Sequence, residues 1–413
     1  MGHLPEVNQI ARSAPCFPFL WPPHHDAMIV SFSPPIDYEV AGNRLRLLPG
    51  GLERFETLID TIEAAQESIR VLFYMFTEDA AGTRVLHALT QAAARGVEVR
   101  VLLDEFGCGA IRPAFLDPLR DAGGMYCVFH PTISRRYLIR NHQKMVVVDG
   151  RRAIIGGANI NEHYLTDEGP KHWRDLWLFI DGPAVEKLAD YFDDIYLWTA
   201  HPKPLVKKLR RIIAKHSRGS GPIAWRFSGP IANSNPWPVQ VVKDILAARR
   251  VDIVAAYFSP SNAMLRRIGG VVERGGEARL VTASKSDNNA TIAAARFTYG
   301  RLLKRGVRVF EYQPAKLHTK LYICDDAVHI GSANFDFRSL YLNLEMMLRV
   351  EDRAFAQAMR DYVDGEVANS MEITPAVHKS KATLWRKTKW ALSNFLVTTM
   401  DYTVTRRINL GQE

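Results

Sequence analysis

Apolar residues along the chain follow two alternating periods. From Phe55 to Ser68 they recur at helical spacing (Phe55, Leu58, Ile59, Ile62), and Ile69 to Phe76 is a strand-like run. A second helix is predicted around Val85 to Ala94, stopped at Gly96, with a second strand from Val97 to Leu103. The order then returns: helix at Val239–Ala248, strand at Val251–Phe258, helix at Met264–Val272, breaks at Gly275 and Gly276, strand at Ala278–Thr282. Alternating helix and strand predict an α/β layered fold. Residue types repeat too: Ala94-Arg95-Gly96-Val97 matches Lys304-Arg305-Gly306-Val307 in type and Glu273-Arg274-Gly275-Gly276 in position. An internal duplication follows, with one copy over 40–202 and the other over 222–368, facing each other across one central cleft.

Three segments fall outside the copies. Residues 1–39 are Pro-rich, which blocks helix and predicts an extended arm. The linker over 203–221 carries seven basic and no acidic residues between Lys203 and Arg218, with Leu205, Val206, Leu209, Ile212 and Ile213 on one helix face. Such a helix either docks on its own domain with a solvated basic face or lies on a membrane; the pattern leaves both open. In the tail over 369–413, Trp385, Trp390, Leu392, Phe395 and Leu396 alternate with Lys381, Arg386, Lys387 and Lys389, and an interfacial membrane element is the favoured reading.

Composition sharpens this picture in two respects. With 413 residues, 53 Lys plus Arg against 44 Asp plus Glu give a net charge of +9, which suits a polyanionic partner such as nucleic acid or an anionic membrane face. The four cysteines are scattered without a CxxC pair, against a disulfide scaffold or zinc ribbon. No apolar run reaches the roughly 18–20 residues of a membrane span, and no signal peptide is expected.

Two segments carry the chemistry. One reads Asn141-His142-Gln143-Lys144, then Asp149, then Gly156-Gly157-Ala158-Asn159; the other reads Leu317-His318-Thr319-Lys320, then Asp325, then Gly331-Ser332-Ala333-Asn334. A lone His-x-Lys is worth little, whereas the longer pattern in both halves of a duplication is not accidental. His and Lys two apart share a strand face. A hairpin centred between Gly150 and Arg151 sets His142 opposite Asn159 and Lys144 opposite Gly157. Centring the second on Asp326 sets His318 opposite Asn334 and Lys320 opposite Ser332, so the one-residue deletion is absorbed at the turn. Gly157 and Ser332 then leave backbone room for a ligand.

These residue types suit a phosphodiester. Two lysines and two asparagines can surround its free oxygens, one neutral imidazole can attack phosphorus, and the other, protonated, can serve the departing alkoxide. The histidines lack the acidic cluster of a two-metal site, and no cofactor is expected. A nucleophilic imidazole needs its other nitrogen held by a carboxylate. Asp175 and Glu345, one downstream of each motif, are assigned this orienting role. Asp149 and Asp325 complete the motif and are counted with the catalytic set, although their place at the far turn points to a structural role. Tyr74 and Tyr257, near the ends of corresponding strands, are candidates for lining the cleft, with core packing expected for at least one.

The paired motifs resemble those of the phospholipase D superfamily over roughly 40–365. Leu47-Leu48-Pro49-Gly50-Gly51, Leu72 to Phe76, His172-Trp173-Arg174-Asp175 and Asn334-Phe335-Asp336-Phe337-Arg338-Ser339 are similar to bacterial cardiolipin synthases, of the shorter type without N-terminal membrane helices. The resemblance implies two α/β/α sandwich domains and a phosphatidyl group carried on histidine, with His142 favoured as nucleophile and His318 as acid. It further implies phosphatidylglycerol as substrate, with phosphatidylethanolamine an alternative donor, and a peripheral place on the cytoplasmic side of the cell membrane. Gly157 departs from the family, where many members have Ser. The competing readings are a hydrolytic phospholipase D and a metal-independent nucleic-acid phosphodiesterase; the Trp and Leu in the basic tail favour lipid, and no nucleic-acid partner is expected.

Overall fold

The structure, a computed structural model, describes residues 37–130, 139–169, 171–231 and 234–399. The expectations for the arm up to Ile36 and for the tail beyond Thr399 fall outside the described residues.

The first half runs β1 (Asp37–Val40), β2 (Asn43–Leu48), α1 (Gly51–Glu63), β3 (Ser68–Phe73), α2 (Ala80–Ala94), β4 (Glu98–Asp104), α3 (Asp117–Asp121) and β5 (Met125–Phe129). It continues with β6 (Lys144–Val148), β7 (Arg152–Gly156), β8 (Trp173–Arg174), β9 (Trp177–Asp181), α4 (Ala184–Ala200) and α5 (Val206–His216). The second half runs β10 (Ile223–Ser228), α6 (Pro236–Ala247), β11 (Arg250–Ala255), β12 (Phe258–Ser259), α7 (Asn262–Glu273), β13 (Glu277–Ala283), α8 (Asn289–Leu303) and β14 (Arg308–Tyr312). Next come β15 (Lys316–Leu317), β16 (Lys320–Cys324), β17 (Ala327–Gly331), β18 (Phe335–Asp336), α9 (Phe337–Tyr341) and β19 (Glu345–Glu351). The described chain closes with α10 (Arg353–Ala368), β20 (Ser370–Glu372), α11 (Pro375–Lys381) and α12 (Leu384–Thr399).

The sheet orders β1-β2-β9-β7-β6-β3-β4-β5 and β10-β19-β17-β16-β11-β13-β14-β20 show the duplication directly. Seven strands correspond one to one, and β1 and β20 are additions at opposite edges. The Pro-rich arm is therefore shorter than expected, since Asp37 to Glu39 already pair with β2. The quartets matched in sequence are helix stops: Gly96, Gly275 and Gly306 follow α2, α7 and α8 at φ of +80° to +90°, where a Cβ is disfavoured.

Both central hairpins are buried on both faces, which is why β6 reads Lys-Met-Val-Val-Val without polar alternation. Met145 and Val147 join Leu321 and Ile323 of β16 in one core, filled by α4 (Leu188, Phe192, Ile195) and α10 (Phe355, Met359, Val363). Val146 and Val148 face an outer core with α1 and α2, and Tyr322 and Cys324 one with α6 and α7. Both halves are thus α/β/α sandwiches that share their middle layer. The linker helix α5 docks by Leu209, Ile212 and Ile213, which are buried, while Lys207, Lys208, Arg210 and Arg211 are exposed.

The hairpin register differs from the expectation by one residue. Val148 pairs with Arg152 around Asp149-Gly150-Arg151, and Cys324 pairs with Ala327 around Asp325-Asp326. Carried onward, these registers set Lys144 opposite Gly156 and Lys320 opposite Gly331, not Gly157 and Ser332; nor do the histidines face Asn159 and Asn334. Each turn is centred half a residue earlier because Asp149 (φ +52°) and Asp325 (φ +50°) take the left-handed position. The deletion is still absorbed at the turn, so the two motif ends superpose.

Candidate active site

The residues just before β6 and β16 leave their own sheet and pair with the other half. Asn141 bridges Leu344 in parallel; His142 N donates to Leu344 O at 2.9 Å and Leu344 N to Arg140 O at 2.8 Å. In the mirror arrangement β15 pairs with β8, and His318 N donates to Arg174 O at 2.7 Å. In each partner segment the next residue is the acid, and the carboxylates therefore cross. His142 Nδ1 lies 3.0 Å from both Glu345 oxygens, and His318 Nδ1 lies 2.6 Å from Asp175 Oδ2. Each acid sits downstream of one motif in sequence and against the histidine of the other in space.

The surroundings fix both acids. Glu345 accepts from Ser332 Oγ at 2.5 Å, Ser339 Oγ at 2.9 Å and Asn343 Nδ2 at 3.4 Å. Asp175 accepts from Leu176 N at 2.7 Å, and burial of its carboxyl is outweighed by His318 and Lys320, which hold its pKa below the usual carboxylate range. Fully buried Arg54 secures the Asp175 backbone, donating to Asp175 O at 2.7 Å, Pro49 O at 2.8 Å and Tyr164 O at 2.7 Å. This accounts for the Leu47 to Gly51 segment, which is tied to the acid through Arg54.

Lys144 and Lys320 are buried, and each ammonium donates to the backbone carbonyl of its own motif histidine. Burial lowers Lys144 to about 7, with Glu345 opposing and Lys320 reinforcing the shift. Burial likewise lowers Lys320 to about 8 against the pull of Asp175 and Glu345. Burial lowers His142 to about 4 despite Glu345, and His318 to about 3, reinforced by Lys320 and opposed by Asp175. At neutral pH both imidazoles are therefore neutral, with Nδ1–H given to a carboxylate and Nε2 carrying its lone pair.

His142, His318, Asn159, Asn334, Tyr74 and Tyr257 line one pocket. Tyr74 meets the His142 ring edge-on at 5.0 Å, and Tyr257 meets His318 at 6.2 Å while donating to Asp287 at 3.0 Å. Both tyrosines thus face the cleft, from unequal positions. Phe73 pairs with Lys144 and Ala255 with Lys320, so Tyr257 corresponds to Met75. Tyr164 and Trp173 also flank His318, at 5.2 Å and 5.3 Å, and Arg140, Arg338 and Phe106 line the same pocket. Sequence reasoning passed over these. Trp173 and Arg338 stood inside quoted segments, whereas Arg54 and Tyr164 left no periodic signal.

Lys144 and Lys320 lie behind the pocket lining, each held on the carbonyl of its motif histidine, and four further expected site residues have other roles. Asp149 accepts from the backbone of Gln66, Glu67 and Ser68, and Asp325 from Arg249 and Arg250, so both stitch the turn to the neighbouring strand and neither lines the pocket. Ser332 is fully buried with its hydroxyl on Glu345. At Gly157 a Cβ would lie 2.5 Å from Asp175 Oδ1, so this glycine makes room for the acid; a serine here would displace it. Among the described residues no group of three or more His, Cys, Asp or Glu side chains could hold a metal ion, and no helix is long and apolar enough to cross a membrane.

A fold built twice, with His-x-Lys leading into the same central strand of each sheet, defines the phospholipase D class. The family model of the cardiolipin synthase phospholipase D-like domain matches residues 58–196 and 243–366. Cardiolipin synthase A of Pseudomonas aeruginosa (strain LESB58) is 34% identical over 349 residues, which is 83% of this chain and 70% of that protein. Cardiolipin synthase A of Pseudomonas entomophila (strain L48) is 33% identical over 343 residues, covering 81% of this chain and 71% of that one. The fold is similar to the crystal structure of phosphatidylserine synthase from Haemophilus influenzae Rd KW20, with TM-score 0.68 at 16% identity over 89% of this chain and 97% of the other. The chain belongs to the phospholipase D-like cardiolipin synthase family, and it is a phosphatidyltransferase.

Proposed function

We propose that the protein moves a phosphatidyl group from one phosphatidylglycerol to another through a phosphohistidine, making cardiolipin and releasing glycerol. The supporting observation is the pair of crossed His–carboxylate contacts that bring two neutral imidazoles into one pocket. In the first step Nε2 of His142 attacks phosphorus, the bond to the glycerol oxygen breaks, and His318 supplies the proton that oxygen needs. In the second, neutral His318 takes the proton from a hydroxyl of the second lipid, whose oxygen attacks phosphorus while the P–N bond breaks. Lys144, Lys320, Asn159 and Asn334 hold the non-bridging oxygens. The substrate's own negative charge raises the pKa of the imidazoles beside it, which favours loading the acid with its proton.

His142 is given the attack because its ring is the more open, 13% exposed against 5% for His318. Phosphatidylethanolamine as donor would release ethanolamine by the same steps. Water reaching the intermediate gives phosphatidic acid as a side product. A net charge of +9 supports a peripheral place on the anionic cytoplasmic face of the cell membrane.

Purified protein with phosphatidylglycerol vesicles is expected to form cardiolipin and to release glycerol equal to the sum of cardiolipin and phosphatidic acid, and a lack of both cardiolipin and glycerol rejects the proposal. His142→Ala and His318→Ala should each lower the rate by about 10²–10⁴. A p-nitrophenyl phosphodiester, whose leaving group needs no proton, separates the roles. His318→Ala should still form an acid-labile phosphoenzyme, and His142→Ala should not; the reverse result exchanges the two assignments.

A further inference from the structure

Among the described residues, helix α12 buries one apolar face against the rest of the chain and leaves apolar side chains exposed on another. Trp390, Ser393 and Val397 are buried; Val397 packs with Ala290 and Ala294 of α8, and Trp390 stacks on His378 at 5.5 Å. At about 100° per residue the opposite side carries Leu384, Trp385 and Leu392. These are among the most exposed large apolar residues, at 83%, 78% and 57%. Lys387 and Lys389 project roughly on either border of this stripe, and no acidic residue occurs from Ile373 to Met400. We propose that this face of α12 lies in the headgroup region of an anionic bilayer, with Trp385 and Leu392 inserted and Lys387 and Lys389 reaching to lipid phosphates.

Charge selects this occupant over a second copy of the chain. A two-fold contact through the stripe would set the bordering lysines of both copies against each other, with no carboxylate on the helix to offset them. An anionic lipid surface matches both features, apolar interior and negative rim.

The test is flotation of the full chain with vesicles of phosphatidylcholine alone or with about 30 mol% phosphatidylglycerol. Trp385→Ala with Leu392→Ala should weaken binding to the anionic vesicles at least about tenfold. Lys387→Ala with Lys389→Ala should cost about 10- to 30-fold on anionic vesicles, nothing on neutral ones, and flatten the salt dependence. Both variants should melt like wild type and turn over a soluble short-chain phosphatidylglycerol unchanged, so loss of binding is read separately from the reaction scheme. Binding equal to wild type overturns the proposal. So does a variant that instead shifts the light-scattering mass, which assigns the face to a second copy, or one that lowers only the melting temperature, which assigns it to the chain's own last residues.

Discussion

Burial sets the working pH range of the two lysines. Because Lys144 is lowered to about 7 and Lys320 to about 8, each loses its positive charge as pH rises through these values. Attraction for a phosphodiester anion is present below that range and lost above it. The free histidines, at about 4 and about 3, are neutral in this range, and the proton that His318 must carry to the leaving oxygen becomes scarcer as pH rises. For a soluble short-chain substrate kcat/KM is therefore expected to fall with rising pH and to fall more steeply above about 7–8, where each lysine that titrates adds up to about tenfold per unit. A profile flat to pH 10 would contradict the buried-lysine account. The lysines and histidines were legible in the sequence because the motif occurs twice. The crossing of the acids was not, since His142 and Glu345 are 203 residues apart, His318 and Asp175 are 143 apart, and no local period records such a contact.

At the scale of elements, the motif aspartates govern how the hairpin meets its neighbour. The Asp149 carboxylate accepts from three successive backbone N–H groups at the start of β3, at 3.1, 2.8 and 3.0 Å, from a residue at φ +52°. Asp149→Ala removes the acceptor and leaves a Cβ residue in left-handed backbone. A loss of about 2–4 kcal/mol in urea unfolding is expected, with kcat per folded molecule retained. Asp149→Asn keeps one oxygen and tolerates the backbone, and should lose less than half as much. A collapse of kcat in Asp149→Ala with stability intact would return this residue to the chemistry. Strand and helix order were readable from periodicity, because β3, β4, β11 and β13 lie in sheets covered on both faces. The register was not, because it turns on the left-handed φ of Asp149 and Asp325, and aspartate does not announce that conformation as glycine does. The break after Ala255 was hidden for another reason: Phe258 and Ser259 continue the apolar pattern but pair with β18.

On the scale of the whole molecule, the duplication does not yield two independent units. Met145 and Val147 from one half and Leu321 and Ile323 from the other belong to the same buried core, with α4 and α10 packed into it. Opening one half would expose the inner face of the other sheet, break the pairing of β8 with β15, and strip each histidine of its carboxylate. All of these losses fall on the same event, so partial unfolding has no stable intermediate to stop at. Calorimetry is thus expected to show one endotherm for residues 37–399, with calorimetric and van't Hoff enthalpies in a ratio near about 1. Two resolved transitions, or a ratio near about 2, would mean that the shared layer is weak enough to part. In that case the crossed His–carboxylate contacts could not be held to sub-ångström tolerance by the fold. Cooperativity and catalysis are coupled here through the same interface. Asp175→Asn and Glu345→Gln should consequently slow the reaction without splitting that single transition, since the core beneath them is untouched.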